Sequence, residues 1–504
     1  MYKRALLLAI VAIAAALAPQ PLSAGPAGTL TYVIDVSETG NATVVMVFMA
    51  GRGGSFYTFL PRFENWSYVV WSGSLDSLEV RNSSAYFYYN VSFSYRPGPS
   101  GVFGMNITYS FPYASLYVGR RGWFMTPLLG ASPGLGLAVE VRIRGLDDVY
   151  AVTINGVEAE HVRSGEELKV EVPWQAAATG GRVTVDYTVR EPVGEEVFEE
   201  RVGGALIRIR AAPFYRGFAH KIAGILERAR PVLERVFGPM AGVVEFEFFL
   251  PKRVDLSTYG YVMGEDVNAG GKGPIHLNLA LIRFKEGYLE TTVVHEYVHL
   301  ALGAAGVPAN RELRWFHEGV AQYVSLEACE EVGIDVSDIR AMLDNMSEVF
   351  RRGLIKPGFV EDWSPAGNEA SYYAASYYIV SELAERRGGL DFIRRVVEEI
   401  RARGGVSTNN ELVDALSAAA GEDLAPLFRS WGFTISKAPP QRSRLLVLAA
   451  AALLAAVSAL SLLVILGSGR GYRRCPYCYA EVPRGLAVCP YCGYPLAEEG
   501  GEGG

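Results

Sequence analysis

The segment Leu289-Glu290-Thr291-Thr292-Val293-Val294-His295-Glu296-Tyr297-Val298-His299-Leu300-Ala301-Leu302 runs without a proline or glycine until Gly303. Its spacing predicts a helix over Leu289–Leu302 that ends at Gly303 as a C-terminal cap. Residues four apart share one helical face, so His295 and His299 can reach the same metal ion. Glu296, one position on, can reach a water molecule held there. Val293, Val294, Val298 and Leu300 make this a largely buried helix, in which two imidazoles without partners would be costly. A catalytic zinc takes three protein ligands and keeps a fourth position open, so a further ligand must come from elsewhere in the chain.

Downstream, the position six residues after His299 is Ala305, which cannot ligate. Further along stands Trp315-Phe316-His317-Glu318-Gly319-Val320-Ala321-Gln322-Tyr323, with Glu318 nineteen residues after His299. Here the chain resembles the gluzincin metallopeptidases, whose pattern is His-Glu-X-X-His, eighteen residues, then Glu within a Glu-Gly-X-Ala-X-Tyr helix. The resemblance is to the aminopeptidase-N-like group and the related peptidase MA-like domains, over roughly residues 205–435. It implies a catalytic zinc on His295, His299 and Glu318, with Glu296 as general base in hydrolysis of a peptide bond. His317 is the rival ligand. Adjacent helical positions point about 100° apart, and the family pattern selects Glu318. The family also places a tyrosine downstream to hydrogen-bond the oxyanion. In Ser371-Tyr372-Tyr373-Ala374-Ala375-Ser376-Tyr377-Tyr378, the spacing to Leu383 and Gly388-Gly389 fits Tyr373, with Tyr372 next; four tyrosines at helical spacing also read as core. Where the aminopeptidases carry a Gly-X-Met-Glu-Asn segment for the substrate amine, this chain has Asn268-Ala269-Gly270-Gly271-Lys272-Gly273-Pro274-Ile275-His276. The acid is missing and Lys272 is near, with Glu265 a few residues earlier. The expected activity is therefore endopeptidase cleavage, with Ile275–Leu279 as an edge strand on which a substrate backbone pairs.

Upstream the periodicity is different. Runs such as Thr29–Val36, Thr43–Met49, Ala85–Tyr95, Ala138–Ile143, Val149–Ile154 and Val183–Val189 alternate apolar and polar residues, punctuated by Gly, Pro and Asn. This predicts a β-rich, sandwich-like domain over 25–192. From about 205 the period turns helical, with Ile222, Ile225, Leu226, Ala229, Leu233 and Val236 on one face and a kink at Pro231. With the resemblance, residues 193–436 read as a thermolysin-like α+β metallopeptidase domain, mostly helical. A chain of 504 residues, half of it hydrophobic, has room for such a multidomain fold. A net charge of −7 argues against nucleic acid as a partner.

The two ends carry other signals. Tyr2-Lys3-Arg4 followed by Ala5–Ala18 and small residues to Ala24 reads as a signal peptide, 1–24. After a linker, 437–444, the uncharged run Leu445–Leu466 spans about 33 Å as a helix, the thickness of a bilayer core, and reads as a transmembrane helix. Sequons begin at Asn41, Asn65, Asn82, Asn90, Asn106 and Asn345, all before that run. In the tail, 467–504, Cys475-Pro476-Tyr477-Cys478 and Cys489-Pro490-Tyr491-Cys492 are two knuckles whose four thiolates suit a closed, structural zinc site resembling a zinc ribbon. A redox dithiol would need only one pair. The expected topology is a glycosylated ectodomain outside the cell on a single-pass membrane anchor. The ribbon is then cytosolic, where thiols stay reduced, facing an unknown partner. Cys329, apart from the others, reads as a small buried hydrophobe. Two functions suit this reading: a membrane-anchored zinc metallopeptidase acting on peptide or protein substrates, and a surface binding or assembly protein on a degenerate peptidase fold. An intact Glu296 favours the enzyme.

Overall fold

The computed structural model describes residues 28–62, 66–85, 87–178, 180–253, 256–436 and 471–496. They fall into two compact units, divided after Ile435. The first unit is multidomain, with a β-rich amino-terminal part and a carboxyl-terminal part that is largely helical. The expected signal peptide, 1–24, and the apolar run 445–466 lie outside the described residues. Among the described residues, no helix is long and apolar enough to cross a membrane.

In the β-rich part, alternation turns directly into a two-faced sheet. Along Gly28–Val36, Leu30, Tyr32, Ile34 and Val36 are buried while Thr29, Val33 and Asp35 are exposed. This strand pairs along its whole length with Ala42–Ala50 (antiparallel) and Leu135–Ile143 (parallel), at the centre of a seven-stranded sheet. A three-stranded sheet, Gly54–Pro61, Tyr88–Arg96 and Ser74–Asn82, packs against it. Phe48 meets Phe56 and Phe93 at ring separations of 4.5 and 5.6 Å, and Phe103 meets Tyr95 at 4.6 Å. These rings close the core between the two sheets. A five-stranded sheet that includes Ser115–Val118, Arg121–Met125 and Val183–Val189 faces both ways. Phe124 and Tyr187 enter the β core, whereas Leu116, Trp123 and Met125 enter the core of the helical part.

The helical part begins with strands. Glu196–Val202 and Gly204–Ala211 form an antiparallel pair, so the helical period starts later than residue 205. Helix α1 (Arg216–Phe237) then crosses over to Ala241–Phe249, which lies parallel to Gly204–Ala211, and it runs unbroken through Pro231. The full sheet order is Glu196–Val202, Gly204–Ala211, Ala241–Phe249, Pro274–Asn278, Gly260–Val262. The expected edge strand near Ile275 is therefore interior. Gly260–Val262 returns antiparallel along its outer side and is itself the edge. This three-residue strand is too short to show a period of its own.

Among the described residues, seven helices follow the sheet: α2 (Tyr288–Ala304), α3 (Arg314–Glu331), α4 (Ser337–Arg351), α5 (Glu369–Glu385), α6 (Leu390–Ala402), α7 (Asn409–Ala420) and α8 (Ala425–Trp431). The Glu290 carboxylate accepts from the Gly287 amide at 2.8 Å, satisfying one of the free donors at the start of α2. Gly303 does not end α2. It lies inside the helix and must be glycine because a Cβ there would lie 2.4 Å from the Val267 carbonyl, and Gly306, at φ 93°, takes the left-handed position beyond the helix. Cys329 is fully buried on α3, and burial pushes its thiol up to about 12.

Candidate functional site

Helix α2 carries His295, Glu296 and His299, and α3 carries His317 and Glu318. The two helices pack closely because Val293, Val294, Val298 and Leu302 meet Val320, Ala321 and Val324 in one core. The Glu318 Oε2 atom lies 3.3 Å from His295 Nε2 and 3.5 Å from His299 Nε2. The donor atoms of these three residues all lie within 4.8 Å of one another. Ligands about 2.1 Å from a tetrahedral zinc stand about 3.4 Å apart, so the two shortest separations match the edge of that tetrahedron. Burial alone would raise the Glu318 carboxyl. His299 and His295 outweigh it and hold Glu318 well below the usual carboxylate range, in its ligating form.

His317, adjacent in sequence, turns away. It is buried, with Nε2 3.2 Å from the Val307 carbonyl and Nδ1 3.4 Å from His299 Nδ1. Burial, and then His299, push its pKa down to about 3, so the ring is neutral. A carbonyl can only accept, so the single proton of His317 sits on Nε2. Its bare Nδ1 then accepts from the N–H of His299, and the other nitrogen of His299 is left free to face Glu318 and a metal. The remaining oxygen of Glu318 is 3.3 Å from Arg314 Nε, one turn earlier on α3. Arg314 in turn lies 5.0 Å over the Trp363 ring.

These residues open onto a cavity of about 340 Å³. Glu296 lines it, and its Oε2 is buried without a hydrogen-bond partner. Burial raises its pKa, with His295 and His299 acting against this. An orphaned carboxylate oxygen beside three convergent donors is what a proton-transferring base next to a metal requires, and the residues present fit zinc. The edge strand comes so close that a Cβ on Gly260 would lie 2.9 Å from Glu296 Cγ.

Tyr373 on α5 also lines the cavity, its ring 5.6 Å from Trp363. Tyr372 instead donates to the Ser364 carbonyl at 3.1 Å, and Tyr377 and Tyr378 are buried. What brings α5 to the site is Gly319. A Cβ there would fall 2.4 Å from the Ser376 carbonyl, so only glycine lets α3 and α5 approach closely enough for Glu318 and Tyr373 to share a cavity. The Glu318 carboxylate first, and burial second, raise the Tyr373 hydroxyl above its ordinary range, so it stays protonated.

Lys272 is not among the residues lining the cavity, and neither is Glu265. The loop that holds Lys272 packs behind the end of α2, where a Cβ on Gly271 would meet the Leu300 carbonyl at 1.9 Å. The cations that do line the cavity are Arg311, paired with Asp362 at 2.6 Å, and Arg314. Both escaped the sequence reading, although Arg314 stands four residues before Glu318 on one helical face. Gly260 and Trp363 were missed as well, and neither carries a local signal.

The second unit has a donor cluster of its own. Strands Tyr472–Arg474 and Glu481–Pro483 pair, and Cys475, Val482, Cys489 and Leu496 form a small core. Cys475 Sγ lies 3.7 Å from Cys492 Sγ, and Cys478 Sγ lies 3.7 Å from Cys489 Sγ. Four thiolates about 2.3 Å from a tetrahedral zinc stand about 3.8 Å apart. The two knuckles repeat one turn: Tyr479 N donates to the Cys475 carbonyl, and Gly493 N to the Cys489 carbonyl, both at 2.9 Å.

No model of a known protein family matches the chain, and no curated protein matches its sequence. Among solved structures, it is similar to an aminopeptidase N family protein from Idiomarina loihiensis, at 12% identity and a TM-score of 0.36. The similarity covers 81% of this chain and 76% of that one.

Proposed function

We propose that this protein is a gluzincin zinc metallopeptidase that hydrolyses peptide bonds inside extended chains. One observation carries the reading: His295, His299 and Glu318 converge, with the unpartnered Glu296 oxygen beside them in a cleft. Those three residues would hold a zinc ion, which would supply Lewis acidity at the scissile carbonyl and acidify water. Glu296, its proton affinity raised by burial, takes the proton of the attacking water and hands it to the leaving amine. The protonated Tyr373 hydroxyl donates to the oxyanion. His317 fixes the tautomer of His299, and Arg314 steadies the Glu318 carboxylate. The free side of Gly260–Val262 offers backbone groups to an extended substrate.

Endopeptidase action rests on charge. The only carboxylates among the described residues lining the cleft are Glu296 and Glu318, both occupied in the mechanism, and the cations there, Arg311 and Arg314, are already paired with Asp362 and Glu318. A substrate α-ammonium finds no partner there. The apolar run 445–466, the sequons before it and the thiols after it support an ectodomain outside the cell on a single-pass anchor. The ribbon is then a structural zinc module on the cytosolic side, open to a partner there.

The test uses the full chain with an internally quenched, amino-blocked peptide and an amino-acid anilide. Hydrolysis of the first, with loss of turnover but retained zinc in Glu296→Gln, is expected. Full activity of that variant refutes the mechanism, and rapid hydrolysis of the anilide alone refutes the endopeptidase assignment.

A further inference from the structure

A second cavity, of about 780 Å³, opens where the β-rich part meets the helical part. Its walls are largely aromatic, with Phe111, Tyr113, Tyr259, Phe284 and Tyr288 among them, and three arginines enter it: Arg62, Arg182 and Arg283. Lys285 is there too, but is paired with Asp338.

Among the described residues, the three arginines have no carboxylate partner. Arg62 donates to the carbonyls of Tyr88 and Ser83. Arg182 donates to the Thr126 carbonyl at 2.8 Å and lies 3.4 Å from the Tyr88 hydroxyl. Among the described residues, Arg283 makes one hydrogen bond, to the Met125 carbonyl at 3.5 Å, and its guanidinium lies 4.9 Å from the centre of the Phe111 ring. A guanidinium has five N–H donors, so most of those on Arg283 find no acceptor among the described residues. Burial first, and the neighbouring Arg182 second, bring its pKa down to about 9. Two neighbouring guanidiniums, both partly buried and with no counter-charge among the described residues, repel each other, and an anion between them reverses this.

We propose that this cavity binds a small organic anion, a carboxylate, sulfonate or phosphate on an apolar or aromatic body, with its charged group between Arg182 and Arg283. The two arginines match a planar or tetrahedral oxyanion through paired N–H bonds, and the rings take the apolar body. The volume lies within the range of small-molecule sites. The site stands apart from the metal-ligating residues and does not depend on the peptidase reading. Tyr259 lines this cavity and its neighbour Gly260 lines the metal cleft, so the two cavities meet at adjacent residues.

The experiment is ligand-observed NMR on the full chain, with 4-phenylbutyrate compared with its uncharged counterpart 4-phenyl-1-butanol. The carboxylate should bind at least roughly tenfold more tightly than the alcohol, because charge-assisted hydrogen bonds are at stake. Inorganic sulfate should compete. Arg283→Gln and Arg182→Gln should each cost most of that preference and leave the alcohol unaffected. Arg182→Lys should keep part of it. Without ligand, Arg283→Gln should melt no lower than the parent, since it removes an unpaired charge. Equal affinity for acid and alcohol, or an undiminished preference in both Gln variants, overturns the proposal. So does a large loss of thermal stability in Arg283→Gln, which would make the arginine a structural cation of the domain junction.

Discussion

Replacing His317 by alanine tests whether the metal site depends on a residue that need not touch the metal. In the structure His317 donates to the Val307 carbonyl at 3.2 Å and accepts from His299 across 3.4 Å, in a buried setting. Alanine leaves a carbonyl and an imidazole N–H without partners, each costing about 1–3 kcal/mol, and opens a cavity besides. The unfolding free energy should fall by about 2–5 kcal/mol. The more telling number is the zinc affinity. Without an acceptor at Nδ1, the proton of His299 is no longer held away from the ligating nitrogen, and loss of such a partner typically weakens metal binding roughly 10–100-fold. The assay is a zinc titration of the full chain against a competing chelator, with thermal melts at zero and saturating zinc. Asparagine at 317, which can still accept, should recover part of the loss. If His317→Ala binds zinc within about twofold of the parent and is destabilised equally with and without metal, His317 is only packing and the relay is wrong. If instead His317→Ala empties the site while Glu318→Ala keeps full occupancy, the third ligand is His317.

Three further outcomes are expected from the same geometry. Tyr373→Phe should keep zinc and KM while kcat drops roughly a hundredfold, because it removes one donor to the oxyanion; an unchanged kcat in steady-state assays would remove Tyr373 from the mechanism. Gly319→Ala places a Cβ 2.4 Å from the Ser376 carbonyl, so denaturant unfolding should show a loss of about 1–3 kcal/mol, and zinc affinity should weaken as α3 shifts; wild-type values for both would refute the packing argument. Alkaline stability should fall steeply above pH 10. Burial pushes the Tyr32 and Tyr297 hydroxyls up to about 12, so the unfolded chain releases these protons first. Stability is intact below pH 10 and drops between pH 10 and 12 by about 1.4 kcal/mol per pH unit for each tyrosine. Melts across that range should show a fall shallower by about 2.8 kcal/mol per pH unit in a Tyr32→Phe, Tyr297→Phe double variant, the rest coming from other buried tyrosines such as Tyr377; an unchanged slope would refute the assignment.

What the sequence determined is what lies within one turn or one strand. A four-residue spacing puts His295 and His299 on one helical face whatever surrounds them, and each Cys-X-X-Cys knuckle closes its own turn around two thiols. Alternation over Gly28–Val36 fixes which side chains are buried once the segment is extended, because successive residues of a strand point to opposite faces. Other features belong to the tertiary structure, because they depend on which distant segments touch. Gly260–Val262 is the sheet edge, not the strand near Ile275, because a short return strand pairs on its outside. Lys272 sits behind α2 instead of in the cleft, and Tyr373 faces the cleft where Tyr372 does not, since the rotation of α5 is set by the contact at Gly319. Arg182 and Arg283 are a hundred residues apart and meet only at the junction of the two parts. Periodicity records which face of an element is buried, but not which neighbour buries it, and that choice is made by close packing among side chains far apart in the chain.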